Sequence, residues 1–283
     1  MNSDIDSLRG VFEENSFPME KYLELRMISA SWCADLHTFG KWGFYKRNID
    51  PNRQRRETKA LADGTLLHTL ILEPARFETE YVCGPEGKTD MRLKVWKDAF
   101  KAAEEAGKKI IDHETWLRLM AAAEAIDKHP YARGALKGPG QSELTVLWDE
   151  CGIPARARFD RISPRVGFDL KKTRDASDAG FPWEAKRYHY DIKAEWYLRA
   201  SRAYPEQLGQ THFGFVAVEL EWPNLCNVFV YEPDDLKPAK AAIDRALELY
   251  ADGIKNGWDR DDQIIKRLVI PGWRPKTDED SEI

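Results

Sequence analysis

The chain has 283 residues and a formal net charge of −5, with 42% apolar and 32% charged residues. A protein that only coats DNA is normally basic, so this charge argues against one but is compatible with an enzyme that holds cations on carboxylates. No stretch approaches the roughly 20 apolar residues of a membrane span, and the acidic start has no apolar signal-peptide core. We expect one cytoplasmic domain over residues 1–283, with loosely ordered ends at 1–24 and 274–283.

The first half of the chain is predicted to be helical. Apolar periodicity predicts helices over residues 25–39, 60–74, 91–106 and 113–128, with Ser29 or Ser31 as the N-cap of the first and Asp112 as that of the last. Residues 46–59 and 75–90 lack the periodicity and are expected to be irregular. Pro74 is expected to end the second helix, and Gly138-Pro139-Gly140 marks a break.

Beyond this break the periodicity becomes that of β-strands. Strands are predicted over residues 142–148, 155–162, 166–171, 213–220 and 226–231, and helices over 183–204 and 238–256. This order predicts an α/β fold in which a mixed central sheet is flanked by helices and preceded by a helical N-terminal region.

The four cysteines, Cys33, Cys83, Cys151 and Cys226, stand far apart in the sequence. A zinc ribbon needs closely spaced ligand pairs, so this spacing argues against one. Dispersed cysteines in a cytosolic chain are expected to be reduced, buried and inert.

Two of the predicted strands carry acidic residues that can meet. Residues 155–162 and 166–171 are joined by a short turn, so they should pair as a hairpin and bring Asp160 near Asp169. Residues two apart on a strand share a face, so Asp169 and Lys171 should point the same way. An Asp-x-Lys pattern alone is usually a solvated surface pair, but the apolar residues around Asp169 mean that its carboxylate needs a partner or a metal ion.

Two carboxylates beside one lysine suit hydrolysis of a phosphodiester. Carboxylates hold Mg²⁺, which polarises the phosphate and lowers the pKa of a bound water. A lysine can orient that water, help to deprotonate it and offset developing negative charge.

Five short motifs extend the pattern over about residues 28–231. They are Gly64-x-x-x-His68, Ser142-Glu143, Arg158-Phe159-Asp160, Asp169-Leu170-Lys171-Lys172-Thr173 and Tyr190-Asp191-Ile192-Lys193-Ala194-Glu195-Trp196-Tyr197. In this order they resemble the PD-(D/E)xK nuclease superfamily. More narrowly they resemble its RecE (exonuclease VIII) branch, which is related to the RecB nuclease domain and lambda exonuclease. The resemblance places the catalytic core at about 142–231.

The resemblance implies a site for Mg²⁺, with Mn²⁺ as a substitute and no iron–sulfur cluster. Asp160, Asp169 and the Leu170 carbonyl would bind the metal ion, and His68 would be a further ligand or would contact a DNA phosphate. Lys171 would act on the attacking water. The predicted catalytic residues also include one glutamate, Glu143, which would assist at the metal or hold a neighbouring basic side chain in place.

The resemblance also implies contacts with DNA from Arg158, Tyr190, Lys193 and Tyr197, the two tyrosines otherwise lining the site. The family usually has Gln at the position of Lys193. A lysine can still contact a phosphate there, but as a point charge rather than a two-sided hydrogen-bonding group.

For the function, the resemblance implies a Mg²⁺-dependent exodeoxyribonuclease that degrades linear double-stranded DNA from its ends, 5′ to 3′. The 3′ single strands that remain would serve recombination or repair through a RecT-type single-strand annealing protein. The family further implies a ring-shaped homo-oligomer, often a tetramer, and a bacterial or prophage-encoded setting.

Other interpretations remain. The iron–sulfur nucleases of the superfamily need three clustered cysteines near the C-terminal end, where this chain has only Cys226. A non-catalytic DNA-binding or assembly protein on the nuclease scaffold is favoured by Lys193 and the negative charge, and disfavoured by the clustered acids. An endonuclease would share the same core.

Individual residues also have structural interpretations. His68 could be a core histidine, Glu143 an acid at a strand edge, and Tyr190, Trp196 and Tyr197 core aromatics. The basic segment that contains Arg53, Arg55 and Arg56 could be a solvated loop or a set of phosphate contacts.

Overall fold

The computed structural model describes residues 8–13, 16–54, 58–87 and 90–260. Its helices are α1 Met19–Glu24, α2 Ala30–Phe44, α3 Lys59–Leu72, α4 Pro74–Glu80, α5 Lys94–Glu105, α6 His113–Lys128, α7 Pro130–Lys137, α8 Phe181–Arg187, α9 Tyr190–Ala203 and α10 Lys237–Asn256. Its strands are β1 Gly10–Phe12, β2 Tyr81–Cys83, β3 Lys109–Ile111, β4 Gln141–Glu150, β5 Ile153–Ile162, β6 Val166–Thr173, β7 His212–Glu219 and β8 Cys226–Tyr231. None of the described helices is both long and apolar enough to cross a membrane.

A six-stranded mixed sheet in the order β1-β4-β5-β6-β7-β8 forms the centre. All neighbours pair antiparallel except β6 and β7, which are parallel. Parallel neighbours need a crossover connection, and α8 and α9 supply it. The predicted α/β architecture, a mixed sheet flanked by helices, is confirmed.

Helices cover both faces of the sheet. One face packs on α2, α9 and α10 through large side chains such as Trp148, Phe159 and Trp196. The other face packs on α3, α6 and α7, where Leu170 and Val216 are fully buried. Because both faces are covered, β7 is apolar almost throughout, as a strand buried on two sides is, whereas β6 also carries Asp169, Lys171 and Lys172.

The β5–β6 hairpin opens soon after its turn. Only Arg161 with Phe168 and Ile162 with Gly167 pair in register before the two strands diverge. Beyond the split, the Leu170 amide donates to Asp160 Oδ2 at 2.8 Å instead of to a strand carbonyl. A side chain therefore replaces a ladder hydrogen bond at this point, and it is this split that positions the candidate site.

Several predicted elements are confirmed. Helix α6 begins where expected, and the Asp112 side chain caps it by accepting from the Thr115 amide at 2.9 Å. Helices α3 and α10 and the five strands β4–β8 agree with their predicted positions within a few residues. Predicted and observed ends differ least where a cap or a turn marks them.

Other predictions were wrong for identifiable reasons. Helix α2 begins at Ala30 rather than at residue 25, because Ile28 bridges Ala155 and exchanges backbone hydrogen bonds with its neighbours on β5. Pro74 ends α3 but is also the first residue of α4, a position where its missing N–H costs nothing. The predicted irregular segment at 75–90 therefore contains α4 and β2.

The ends of the chain also differ from expectation. Residues 10–12 and 19–24, expected to be loosely ordered, form β1 and α1. Residues 274–283 lie outside the described residues. Of the cysteines, Cys33 and Cys226 are buried as predicted, whereas Cys151 is exposed and Cys83 is half-buried.

Candidate active site

Three acidic residues lie on the neighbouring strands β4, β5 and β6. The β4–β5 register places Glu143 opposite Asp160, and the next pair after Arg161 and Phe168 would be Asp160 and Asp169. Glu143 has a φ of +54°, a left-handed conformation that a non-glycine residue rarely adopts, and it interrupts the β4–β5 ladder there. Such backbone strain is often found where a side chain is held for function.

His68, Glu143 and Asp160 form a group, which we call the carboxylate cluster, whose ligand atoms all lie within 4.8 Å of one another. His68 comes from α3, and its Nδ1 lies 3.4 Å from Asp160 Oδ2. Its Nε2 lies 2.8 Å from the Leu170 carbonyl oxygen. A carbonyl can only accept, so Nε2 carries the proton of this hydrogen bond, and Nδ1 is the ring nitrogen that faces Asp160.

This donor set fits a divalent cation. Two carboxylates and a nearby backbone carbonyl are the oxygen ligands that Mg²⁺ prefers, and an imidazole nitrogen is also acceptable to Mn²⁺. The hydrogen bond to the Leu170 carbonyl orients the His68 ring, as a hydrogen bond to the other ring nitrogen commonly does in metal-bound histidines. His68, Glu143 and Asp160 would therefore hold the ion, with the second lone pair of the Leu170 carbonyl beside them.

The electrostatics of the cluster also favour a cation. Burial, together with the Asp160 charge, raises the pKa of Glu143 to about 8, although Arg158 opposes this shift. Burial and the neighbouring Asp169 raise the pKa of Asp160 as well. Two carboxylates whose charges are disfavoured gain most from a bound cation.

Asp169 lies outside the cluster, and its predicted role as a metal ligand stays a prediction. It is fully buried, and its two oxygens are ion-paired with the Lys171 and Lys193 ammonium groups. Burial alone would raise the pKa of Asp169, but the two lysines outweigh it and hold that pKa well below its usual range. Asp169 therefore anchors two cations at the edge of the cluster.

Arg158 is mostly buried and lines the smaller cavity at the site, and its predicted contact with DNA stays a prediction. Its Nε donates to Glu143 at 2.7 Å, and its Nη1 donates to the Phe17 carbonyl at 2.8 Å and to Thr145 at 2.9 Å. The prediction that Glu143 and Arg158 hold each other agrees with this geometry. Arg158 is a positioning residue for Glu143.

The two predicted tyrosines line the site in different ways. The Tyr197 hydroxyl donates to the Arg158 carbonyl at 2.5 Å, so Tyr197 contributes its ring rather than a hydrogen bond to DNA. The Tyr190 ring is half-buried, stacks on Phe215 at 5.0 Å and lies below the Lys171 ammonium group at 5.3 Å. Trp196 is a core residue.

Two adjoining cavities open at the site. The smaller, about 500 Å³, contains the carboxylate cluster and Leu170, and the larger, about 1090 Å³, extends along α8 and the start of α9. Lys171, Lys172 and Tyr197 line both. A ligand held at the cluster can therefore continue into the larger cavity.

Sequence reasoning missed several of the residues that line the larger cavity. Trp183, Tyr188, Lys172, Arg174 and Arg187 all line it, and the two aromatic residues are largely exposed. The alternation of aromatic and basic residues at 183–188 was a signal for them, but residues 183–204 were predicted as one helix of mostly core aromatics. Arg53 lines neither cavity, and Arg55 and Arg56 lie outside the described residues.

Comparisons with known proteins agree with the fold. Residues 45–259 match the family described as a PDDEXK-like domain of unknown function (DUF3799). A crystal structure titled "Putative exonuclease" from Eubacterium rectale is similar over 92% of this chain and 96% of that chain, with 13% identity and a TM-score of 0.59. That identity supports a shared fold alone.

A second solved structure, of the protein SSO0001, covers 65% of this chain and 85% of its own at 15% identity, but its TM-score of 0.29 carries no argument. No curated protein matches the sequence. The activity class that the matched family and the fold support is a nuclease. Because the family match extends over more than half of the chain, the chain belongs to this family of PDDEXK-like domains, and its predicted place in the PD-(D/E)xK superfamily is confirmed.

Proposed function

We propose that the protein is a Mg²⁺-dependent exodeoxyribonuclease that degrades linear double-stranded DNA from its ends. One observation carries the proposal: the ligand atoms of His68, Glu143 and Asp160 converge within 4.8 Å beside the Leu170 carbonyl. Lys171 stands at the border of the same cavity, held by Asp169. This combination of a cation site and a positioned amine is what phosphodiester hydrolysis requires.

Each residue has a distinct role in this proposal. A bound Mg²⁺ would act as a Lewis acid on the phosphate oxygen. Asp160, Glu143 and His68 hold the ion, and Arg158 keeps the Glu143 carboxylate in place. Lys171 would take the proton of the attacking water at its Nζ, because burial lowers the pKa of this lysine, while Asp169 orients it. Lys193 remains charged and offsets negative charge, because Asp169 outweighs the effect of burial and raises the pKa of Lys193.

The finer parts of the proposal come from the RecE resemblance. Digestion would run 5′ to 3′ and leave 3′ single strands for recombination or repair. A RecT-type annealing protein would bind those strands. A homo-oligomeric ring, often a tetramer in that family, would enclose the duplex, and the setting would be a bacterial cytoplasm or a prophage.

A non-catalytic scaffold is the second candidate, because both oxygens of Asp169 are bound by lysines and Lys193 stands where the family usually has Gln. The substitution Lys193→Gln separates the two functions. In an active enzyme it should alter the cleavage rate without abolishing it. If the natural chain does not cleave DNA and Lys193→Gln restores cleavage, then Lys193 is the cause of the inactivity.

The test of the proposal is digestion of linear duplex DNA labelled at the 5′ or the 3′ end, with Mg²⁺ or with EDTA, beside a closed-circular control. The full proposal would be supported if the linear DNA is lost and the circle is not, if this loss requires Mg²⁺, and if the 5′ label is released early. Early release of the 3′ label would reverse the polarity. Cutting of the circle would indicate an endonuclease, and no cutting with Mg²⁺ or Mn²⁺ would favour the scaffold.

A further inference from the structure

The larger cavity has a wall of exposed aromatic rings. Trp183 on α8 is 69% exposed, and Tyr188, the residue after α8, is 55% exposed. Both line the cavity. Large aromatic side chains normally contribute to a core or an interface, so two of them open to one cavity indicate a ligand with flat apolar faces.

Tyr188 is the outermost ring of a stack that begins in the core. Phe215 is 1% exposed, Tyr190 stacks on it with centroids 5.0 Å apart and an interplanar angle of 18°, and Tyr188 stacks on Tyr190 at 6.0 Å and 26°. The series is held in place because His189, between the two tyrosines, has a left-handed backbone that separates α8 from α9. A nucleobase placed on the exposed Tyr188 ring would continue this stack outward.

Basic side chains surround these rings. The Lys186 ammonium lies 5.4 Å from the Trp183 ring centroid, and the Arg187 guanidinium lies 5.6 Å from that of Tyr188. Among the charged residues that line the cavity, six are basic and one, Glu184, is acidic; the basic ones are Arg156, Lys171, Lys172, Arg174, Arg187 and Lys193. The Thr173 hydroxyl donates to Glu184 at 2.7 Å, and the chain as a whole is negative.

Three of these cations have no carboxylate partner among the described residues: Lys172, Arg174 and Arg187. They are therefore available to a polyanion. The same cavity is lined by Leu23 of α1 and Leu61 of α3, which are 56% and 60% exposed. A strand with charged phosphates and flat apolar bases matches this combination of surfaces.

We infer that this cavity, the stacking groove, binds an unpaired segment of a DNA strand next to the phosphate held at the carboxylate cluster. Inside a duplex the faces of the bases are covered by their stacked neighbours, so several exposed rings beside one another can each take a base where the strand is unpaired. The volume of about 1090 Å³ exceeds the roughly 300–1,000 Å³ of small-molecule pockets, as a segment of several nucleotides requires. This inference rests on the proposed function, and it implies that a duplex end is opened before cleavage.

The test is the binding of a fluorescein-labelled oligothymidylate to the full-length protein in EDTA, followed by fluorescence anisotropy. Trp183→Ala and Tyr188→Ala should each weaken binding about tenfold or more, since stacking on one aromatic ring contributes about 1–3 kcal/mol per base. Trp222→Ala is the matched control, because Trp222 is 89% exposed but does not line the groove. Tyr188→Phe should retain most of the affinity, because it keeps the ring.

A relaxed closed-circular duplex, which has neither ends nor unpaired loops, should bind all variants equally. The inference is overturned if the natural chain does not bind oligothymidylate, if Trp222→Ala weakens binding as much as Trp183→Ala, or if the closed duplex loses affinity in parallel. Binding in EDTA does not need cleavage. A chain that binds in this pattern but never cuts DNA would contradict the proposed function and leave the groove assignment standing.

Discussion

The carboxylate cluster and the stacking groove adjoin each other but are built in opposite ways. Glu143 and Asp160 lie on central strands, mostly buried, and their positions are set by neighbouring side chains and by the Leu170 amide. Trp183 and Tyr188 lie on and just after a seven-residue helix and are mostly exposed. The residues proposed for chemistry therefore lie in the interior, and those proposed for substrate contact lie on an open surface. A substitution in the stacking groove can then change DNA binding without changing the carboxylate cluster.

The largest expected effect is on the interior side. Asp160→Asn removes a charge from the cluster but keeps an oxygen that can accept from the Leu170 amide. Cleavage of linear duplex DNA should fall by at least about 10²–10³-fold, the loss typical when one preorganised electrostatic group is removed. Initial rates with Mg²⁺ and the midpoint of thermal unfolding measure the two effects, and oligothymidylate binding in EDTA should not change. A normal cleavage rate would contradict the site.

Arg158 tests whether a buried residue of the site has a structural or a DNA-binding role. Arg158→Ala leaves the buried Glu143 carboxylate without its cation, and removal of one partner of a buried pair costs about 3–5 kcal/mol. Urea unfolding should show that loss in the free energy of unfolding. Arg187→Ala, on the exposed side, should stay within about 0.5 kcal/mol of the natural chain. If the Arg158→Ala variant kept its stability but lost affinity for DNA, that result would support a direct contact between Arg158 and DNA.

The protonation of Glu143 links metal binding to pH. Its pKa is raised to about 8 in the folded protein, so below that pH the cation must displace a proton, and the affinity for Mn²⁺ should rise as pH increases toward 8 and then level off. The metal-free protein should lose stability as pH rises from 4.5 toward 8, because the folded state binds this proton more tightly than the unfolded state. Calorimetric titrations of the protein with Mn²⁺ at pH 7 in two buffers should detect the protons that metal binding releases. The Glu143→Gln variant should release far fewer protons.

The smallest effect concerns the salt dependence of binding in the groove. For oligothymidylate, the slope of log K, the association constant, against log[salt] is negative. Lys172→Gln and Arg187→Ala should each reduce its magnitude by about 0.7, the value for one phosphate contact on a single strand. Lys101→Gln is the control, since Lys101 is an exposed residue of α5 that does not line the groove. Equal slopes for all three variants would remove Lys172 and Arg187 from the contact surface.

The sequence predicted the interior of the site better than its surface. Strand periodicity and a short turn were enough to bring Asp160 toward Asp169, and the motif containing His68 placed it on α3. The split between β5 and β6 is a tertiary effect that separates the two acids: Asp160 bonds to the Leu170 amide while Asp169 pairs with lysines. Local patterns contain no information about that divergence.

The groove could not be predicted because it depends on backbone conformation at one residue. The left-handed His189 divides the predicted helix at 183–204 in two and turns Tyr188 outward, whereas a continuous helix would have continued the apolar periodicity. The same limit applies to α1, whose residue Tyr22 lines both cavities although residues 1–24 were expected to be loosely ordered.

The hydrogen bonds that Asp160 and His68 make to Leu170 have an evolutionary consequence. Each side chain satisfies a backbone group on a central strand that would otherwise be left unpaired in the interior, so selection for folding alone would retain both residues. Lys171 supports no backbone group in this way. Relatives that have lost catalysis should therefore retain Asp160 and His68, and Lys171 should be the first of the three to be substituted.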